Sequence, residues 1–280
     1  MSILGERDLK PWFGAVAVAS AAGILYFLTA ARDIVVGDTP ELITAAATLG
    51  VAHPPGYPLF TMLGHLFSLA PVGSIPFRVN LLSVICDALT IGVVYLSAFR
   101  LTRSQLAAAV AALLLAVNPT FWEWSLATEV FPLNNLLAAS VILSLVMWHD
   151  QPTRGAPIFA AFLLFGLALT NHHTSVLLAP AFCLVLWQQR SILLARPGLL
   201  VICVALFLMG LLPYAYLPWA SARHPVYNWG EVSSVGDFLG VITRRNYGTF
   251  RLFATAGYTG GTPLFRVAAL CLSFGLVAGT

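Results

Sequence analysis

The stretch Trp12–Ala31, WFGAVAVASAAGILYFLTAA, is a run of twenty residues without a charge. A helix rises about 1.5 Å per residue, so this run matches the roughly 30 Å hydrocarbon core of a membrane. Arg7 and Lys10 precede the run and no small-residue cleavage site follows it. This arrangement predicts a retained first membrane helix, not a signal peptide.

The composition of the whole chain agrees with a membrane location. Of its 280 residues, 59% are hydrophobic and 9% are charged, and the mean hydropathy is +0.87. Soluble domains carry about 25% charged residues, so a water-soluble globule is excluded, as are fibrous, disordered and disulfide-stapled classes. Further apolar runs lie at residues 79–99, 106–117, 130–148, 158–170, 175–187, 198–217 and 264–280. We predict an all-α, polytopic transmembrane helical bundle with about eight membrane segments.

Charges and cysteines exclude further partners and sites. The formal net charge is +3, and no basic run is long enough to indicate nucleic-acid binding. The cysteines all lie inside apolar runs, without a CxxC spacing, at Cys86, Cys183, Cys203 and Cys271. They are typical of small core residues and do not indicate a zinc site.

Arginine placement predicts the orientation of the bundle. Residues 158–187 are apolar but interrupted by Asn171-His172-His173-Thr174, so they form either one steep span or two short ones. Lys and Arg are enriched in short cytoplasmic loops. With two spans, the cytoplasmic side of the membrane holds Arg100, Arg103, Arg154, Arg190 and Arg196. We therefore expect two spans, and outward loops at residues 32–76 and 218–263.

The first outward loop carries the residues most suited to chemistry. Loops longer than about 12–15 residues are uncommon unless they are functional. Within this loop, Leu42–Val51 and Tyr57–Leu69 are helical in character. Asp38 and Glu41 have the spacing of a helix-start capping box, with Pro40 in the first turn. Asp38 can equally serve as a general base at the membrane surface, and the two roles are compatible.

A stiff corner follows in the same loop. His53-Pro54-Pro55-Gly56-Tyr57-Pro58 contains three prolines in six residues, which fix φ and remove backbone donors. One interpretation is an interfacial turn anchored by Tyr57. The other is a wall that positions His53 beside Asp38.

Two further carboxylates have structural explanations. Glu129 precedes an apolar run, and an acid at a helix start complements the helix dipole. Asp87 lies inside a predicted span, where a buried Asn or Arg of another helix is the expected partner.

Cationic and polar groups near the outer face are candidates for binding an anion. Asn171 and His172 lie at the break between the two short spans, where they can either cap a turn or contact an anionic group. Arg244 and Arg245 follow in the last outward loop, and Arg78 begins the second long run. A guanidinium can grip a phosphate through two donors at once.

These residues resemble a known family, the GT-C-fold membrane glycosyltransferases. Within it they are most similar to the family of predicted membrane proteins that includes the animal O-mannosyltransferase acting on IPT domains of plexin-type receptors. The matching stretches are Gly37-Asp38-Thr39-Pro40-Glu41-Leu42, residues 49–59 (LGVAHPPGYPL), residues 77–83 (FRVNLLS), residues 169–174 (LTNHHT) and Asn228-Trp229-Gly230. The first two stretches together are specific.

The resemblance implies a membrane glycosyltransferase. It implies an inverting transfer of a sugar, in this family mannose, from a polyprenyl-phosphate donor to a hydroxyl of a protein Ser/Thr or a glycan. Asp38 is then the catalytic base, with Glu41 and His53 beside it. Asn171, His172, Arg244 and Arg245 are the implied contacts to the donor phosphate.

Other interpretations remain from the sequence. A transporter would explain the intramembrane Asp87 and the broken helices, and a non-catalytic membrane subunit that kept the fold is a third interpretation. Asp38 and Glu41 can ligate a divalent cation, but two carboxylates are too few to require one. Few lysines and compact loops suit a bacterial inner membrane with the site facing the periplasm or cell exterior; the resemblance equally allows an endoplasmic reticulum membrane.

The extent of the domain is also a prediction. We expect one integral membrane domain over residues 1–280. The sequence is still apolar at Thr280, which indicates a fragment of a longer protein or a short family member.

Overall fold

The computed structural model describes residues 6–247, and every regular element in that range is a helix. The α-helices are α1 (Glu6–Thr29), α2 (Thr39–Thr48), α3 (Pro58–Ser68), α4 (Ile75–Thr102), α5 (Gln105–Ala116), α6 (Pro119–Ser125), α7 (Val130–Asp150), α8 (Gly155–Asn171), α9 (Ala179–Gln188), α10 (Arg190–Ala195), α11 (Pro197–Gly210), α12 (Tyr216–Ser221) and α13 (Val235–Ile242). Short 3₁₀ turns cover His173–Leu178, Leu212–Ala215 and Arg245–Tyr247. The all-α prediction is confirmed over this range.

Several helices are long and apolar enough to cross a membrane. Among the described residues these are Pro11–Thr29, Ile75–Thr102, Val130–Asp150 and Pro197–Ser221. A fifth is the pair α5 and α6, if a 66° bend is allowed between them. The bend falls after α5 ends at Ala116, where Asn118 accepts a hydrogen bond from the Phe121 amide at 3.1 Å and caps the start of α6. The chain is therefore a polytopic membrane protein.

The count of eight membrane segments is only partly tested. Seven of the eight predicted runs are helical, but α8 and the helical stretch His173–Gln188 are shorter than the other spans. The eighth run, from Leu264, lies outside the described residues. The eight segments, the GT-C fold and a single domain over residues 1–280 stay predictions.

The stretch 158–187 forms two helical segments. Helix α8 ends at Asn171, and the chain continues as the 3₁₀ turn His173–Leu178 and α9. Farther along, the Arg196 guanidinium donates to the Thr153 carbonyl at 3.2 Å. Arg196 therefore lies at the same end of the bundle as the start of α8, as the two-segment interpretation requires.

Helix α4 is central, with α1, α5 and α7 packed around it, and α8 lies between α7 and α11. Small residues permit the closest of these approaches. A Cβ on Gly166 of α8 would lie 2.9 Å from the Gly210 Cα of α11, so both positions need glycine. Small residues at helix crossings are typical of membrane bundles, where packing replaces the hydrophobic effect as the driving force.

Asp87 is buried within α4 and is fully paired. Its two carboxylate oxygens accept hydrogen bonds from Ser125 Oγ at 2.9 Å and from Asn135 Nδ2 at 3.1 Å. The expected buried partner on another helix is confirmed, since Asn135 belongs to α7. This carboxylate joins helices α4, α6 and α7.

One end of the bundle gathers the connections that carry the candidate site. Asn80 of α4 donates to the Ala31 carbonyl at 2.8 Å and accepts from Thr128 Oγ1 at 2.6 Å. Asn171, at the end of α8, donates to the Val130 carbonyl at 3.0 Å. Helices α2 and α3 pack on this end, as expected for the two helical stretches of loop 32–76.

The compact unit that contains these helices extends to Thr243, and residues 244–280 form a second unit. Of that second unit, the structure describes residues 244–247.

Candidate active site

Glu41 and His53 form a half-buried pair. The Glu41 carboxylate accepts hydrogen bonds from both the backbone N–H of His53 and its ring Nδ1, the latter at 3.0 Å. The two side chains are 19% and 14% exposed. Because the carboxylate can only accept, Nδ1 carries the proton, and the ring is held with Nε2 pointing away from Glu41.

The same contact lowers the pKa of the Glu41 carboxyl. Burial alone would raise this pKa, but the hydrogen bonds and charge of His53 and a hydrogen bond from Tyr227 outweigh it. Glu41 is therefore an ionised anchor for the imidazole.

Asp38 lies next to this pair and is open to solvent. Its Oδ2 is 4.0 Å from His53 Nε2, and its side chain is 61% exposed. The prediction that the proline-rich corner places His53 beside Asp38 is confirmed. The two carboxylates thus flank opposite nitrogens of one imidazole, one buried and one accessible to a substrate.

The capping-box prediction for Asp38 and Glu41 is wrong in its hydrogen bonds. Helix α2 does begin at Thr39 with Asp38 at the N-cap, but among the described residues the Asp38 side chain accepts no capping bond. Glu41 turns to His53 and does not reach back to Asp38. The reason is that the buried His53 N–H groups need an acceptor, whereas the start of α2 is open to water.

The corner His53–Pro58 brings aromatic rings around the imidazole. Tyr57 takes a positive φ of 42° and places its hydroxyl 3.1 Å from His53 Nε2. On its other side, the Tyr57 ring stacks on His172 with centroids 6.0 Å apart and planes within 9°. The corner therefore links His53 to the α8 break, which the sequence places more than a hundred residues away.

A later segment closes the site from a third direction. The Val51 N–H donates to the Tyr227 carbonyl, and the Trp229 N–H donates to the Val51 carbonyl, both at 2.9 Å. A Cβ on Gly50 would collide with the Tyr227 carbonyl, so this close approach requires glycine. The Trp229 ring centroid lies 6.3 Å from that of His53. Tyr227 and Trp229 thus complete the wall of the site.

Glu129 is a site residue that the sequence reasoning assigned to a helix start. It is 7% exposed, and the position for a Cβ on Gly37, next to Asp38, is 3.9 Å from its Oε1. Burial raises the pKa of this carboxyl to about 7, and the negative charge of Asp38 adds to the rise, while His53 opposes it. Helix α7 does begin directly after Glu129, yet among described residues its side chain caps nothing. In the sequence, the feature that could have indicated a role for Glu129 in the site is a glutamate before an apolar run, in a chain with few carboxylates.

The residues predicted to contact a donor phosphate fall in different places. His172 adjoins Tyr57 and has its Nδ1 2.7 Å from Thr174 Oγ1. Asn171 is fully buried and its amide nitrogen is used by Val130, while its Oδ1 has no hydrogen-bond partner among the described residues. Arg244 and Arg245 begin the second unit. All four assignments stay predictions.

Arg78 has a structural role. Its guanidinium donates to the carbonyls of Ser68, Val72 and Gly73, at 3.1, 2.7 and 2.9 Å. It therefore fixes the turn between α3 and α4.

The arrangement can accept a proton and can hold a cationic or hydroxyl group. Asp38 and Glu41 flank one imidazole, Glu129 is buried close to Gly37 beside Asp38, and of the three carboxylates only Asp38 is largely exposed. No group of three or more His, Cys, Asp or Glu side chains in the described range could hold a metal ion. A divalent cation held by Asp38 and Glu41 stays a prediction.

Fold and site together define a polytopic helical membrane protein with a carboxylate–histidine site at one end of its bundle. Residues 38–194, more than half of the chain, match the family model described as the protein O-mannosyl-transferase TMEM260 N-terminal domain. The chain belongs to this family, and the predicted resemblance is confirmed.

Two curated relatives are similar over most of the chain. It is 38% identical over 248 residues to the protein O-mannosyl-transferase TMEM260 of Mus musculus, which covers 85% of this chain and 35% of that protein. It is 29% identical over 253 residues to the protein O-mannosyl-transferase tmem260 of Dictyostelium discoideum, covering 84% and 31%. The chain therefore spans about a third of the length of these relatives. Both come from eukaryotes, so they give no support to the bacterial inner membrane that was expected. No solved structure matches the chain.

Proposed function

We propose that this chain is the membrane part of a glycosyltransferase that moves mannose from a polyprenyl-phosphate donor to a hydroxyl group of a protein. The names of the two relatives, each a protein O-mannosyl-transferase, support the class of reaction. The observation that carries the proposal is the exposed Asp38 carboxylate beside a half-buried, hydrogen-bonded Glu41–His53 pair.

Asp38 is the general base. The acceptor O–H bond breaks as its oxygen attacks the anomeric carbon, and the proton moves to the Asp38 carboxylate. The bond from the anomeric carbon to the phosphate oxygen breaks at the same time, and its electron pair leaves with the phosphate. Attack from the face opposite the phosphate inverts the anomeric configuration.

His53 positions Asp38 and does not react. Glu41 fixes the ring through Nδ1, so Nε2 faces Asp38 and Tyr57. At 4.0 Å the contact between Nε2 and Asp38 is longer than a hydrogen bond, so the ring bounds one side of the exposed carboxylate without burying it. The edge-on contacts of Tyr57 and Trp229 with the ring limit the approach of the acceptor to the open side of Asp38.

Negative charge grows on the leaving phosphate, and a preorganised cation or donor stabilises it best. His172 is a candidate for this phosphate contact. It is linked to His53 through Tyr57, whose ring contacts both imidazoles. Asn171, Arg244 and Arg245 are the further candidates. The lipid tail of the donor lies along the apolar helices, which explains why the site is built on a membrane bundle. The site faces the non-cytoplasmic side, by the arginine bias.

Asp87 does not support the transporter interpretation. An unpaired Asp87 within the membrane would indicate a substrate path, but its two oxygens are used by Ser125 and Asn135. A non-catalytic subunit would have no need to keep an exposed Asp38 beside an ordered imidazole.

The test uses the full-length protein in liposomes with labelled polyprenyl-phosphate mannose and a Ser/Thr-rich acceptor peptide. Transfer of label to the peptide, with inverted configuration, supports the proposal. Movement of the labelled donor across the bilayer without transfer would indicate a transporter. If folded protein neither transfers mannose nor moves the donor, the proposal is rejected and the non-catalytic subunit is the remaining interpretation.

A further inference from the structure

A second polar cavity lies at the end of the bundle opposite Asp38. It has a volume of about 610 Å³ and is bounded by the start of α1 and the ends of α4 and α7. Asn80 and Arg100 mark the two ends of α4, and the twenty residues between them span about 30 Å. The cavity is therefore separate from the candidate active site.

The walls of this cavity combine charge with apolar surface. Three guanidinium groups line it, from Arg100, Arg103 and Arg154, together with the Asp150 carboxylate. Trp12, Leu143 and Met147 supply apolar surface from helices long enough to cross a membrane. A ligand that fits both surfaces carries a charged head and an apolar body.

The charges of the cavity are not balanced within the described part of the chain. Asp150 pairs with Arg100 at 3.5 Å. The side chains of Arg103 and Arg154 make no hydrogen bond or ion pair within residues 11–246, the range in which side chains are described. Three positive groups against one negative group leave an excess positive charge, which calls for an anion.

We propose that this cavity binds the phosphate headgroup of an anionic phospholipid. Arginine grips phosphate through paired donors, and two arginines from different helices can share one phosphate. Basic pockets between membrane helices on the cytoplasmic side are suited to such headgroups. Free phosphate would satisfy the same arginines, but it would leave Trp12, Leu143 and Met147 without a partner. The apolar walls therefore favour the lipid. This inference is independent of the proposed transferase activity.

A thermal unfolding titration of the purified full-length protein in neutral detergent tests the proposal. Phosphatidylglycerol, phosphatidylcholine and inorganic phosphate are added separately, and the midpoint of unfolding is followed. We expect stabilisation by phosphatidylglycerol alone. In the double variant Arg103→Gln/Arg154→Gln we expect the concentration needed for half of this effect to rise about tenfold or more, because two charge-assisted contacts to the phosphate are lost.

The control is Arg190→Gln. Arg190 lies in α10, outside the cavity, and its guanidinium contacts the Trp187 ring and carbonyl. The substitution Arg190→Gln removes a positive charge without altering the cavity, so this variant should respond to phosphatidylglycerol as the wild type does. Native mass spectrometry of the same samples counts retained phosphatidylglycerol directly and reads binding even if a variant is less stable.

Three results would overturn the proposal. Equal stabilisation by phosphatidylglycerol and phosphatidylcholine would show that headgroup charge does not matter. Equal responses of the wild type and the double variant would place the lipid elsewhere. Stabilisation by inorganic phosphate without any by phosphatidylglycerol would assign the cavity to a free anion.

Discussion

Glu129→Gln should stabilise the protein at neutral and alkaline pH. In the folded chain, burial and the neighbouring Asp38 raise the pKa of Glu129 from 4.5 to about 7. The folded state therefore holds this proton more tightly than the unfolded state. Stability should rise as pH falls through 7 and should level off below 4.5, where both states are protonated. Glutamine copies the protonated carboxyl in shape and charge.

The size of the effect follows from the shift in pKa. Ionised Glu129 lowers the free energy of unfolding by about 3 kcal/mol at pH 8 and by about 1 kcal/mol at pH 5.5. The variant should unfold several degrees above the wild type at pH 8, and the gap should narrow as pH falls. Because Glu129 is 7% exposed, solvent screening reduces this effect only slightly.

Thermal unfolding of both proteins in the same detergent, from pH 5 to 8, measures this difference. Glu123→Gln is the matched control, since Glu123 is exposed six residues earlier in the chain. We expect that control to follow the wild type at every pH. Parallel pH profiles for the wild type and Glu129→Gln would refute the reasoning, because they would mean that Glu129 titrates as it does in the unfolded chain.

Two further substitutions test the packing that supports the site. Gly50→Ala should lower the unfolding midpoint and impair transfer, because its Cβ would displace the Tyr227 carbonyl. Gly198→Ala is the control and should do neither, since Gly198 has open space around it. Normal activity and stability of Gly50→Ala would contradict the close approach of Gly50 to Tyr227. Asn135→Leu should destabilise the bundle by about 1–3 kcal/mol, since it leaves one oxygen of the buried Asp87 without its hydrogen bond. Adding Asp87→Asn should restore part of that loss by replacing the buried carboxyl that has lost its donor, and a failure of the double variant to recover in the same unfolding assay would show that the unpaired carboxyl is not the cause.

The membrane helices and the proline-rich corner could be predicted from the sequence because their signals are local. The uncharged run Trp12–Ala31 has the length of a span by itself. The three prolines after His53 restrict the chain enough to place that residue near Asp38, and the distance of 4.0 Å agrees. Arginine bias also separated the two ends of the bundle, as the shared cavity of Arg100, Arg103 and Arg154 indicates.

Contacts between distant parts of the chain could not be predicted in this way. Glu129 and Trp229 reach the site through packing of α7 and of the segment after α12, and their local patterns, a helix start and an Asn-Trp-Gly stretch, do not place them beside His53. The local pattern assigned Glu41 to a capping box. Its carboxylate instead accepts from the half-buried N–H of His53, because leaving that N–H without an acceptor would cost more than leaving the exposed helix start uncapped. A local pattern thus identifies which groups are available, while tertiary packing decides which partner each group takes.

The account depends most on the assignment of Asp38 as general base. The rate of mannose transfer by full-length Asp38→Asn protein, compared with the wild type and with Asp33→Asn, tests this most directly. Asp33 is an exposed carboxylate in the same loop, and its Oδ1 accepts only a local hydrogen bond from the Ile34 amide. We expect Asp38→Asn to lose about a hundredfold or more of the rate while it still binds the donor. We expect Asp33→Asn to retain the wild-type rate. Equal rates for Asp38→Asn and the wild type would contradict the account.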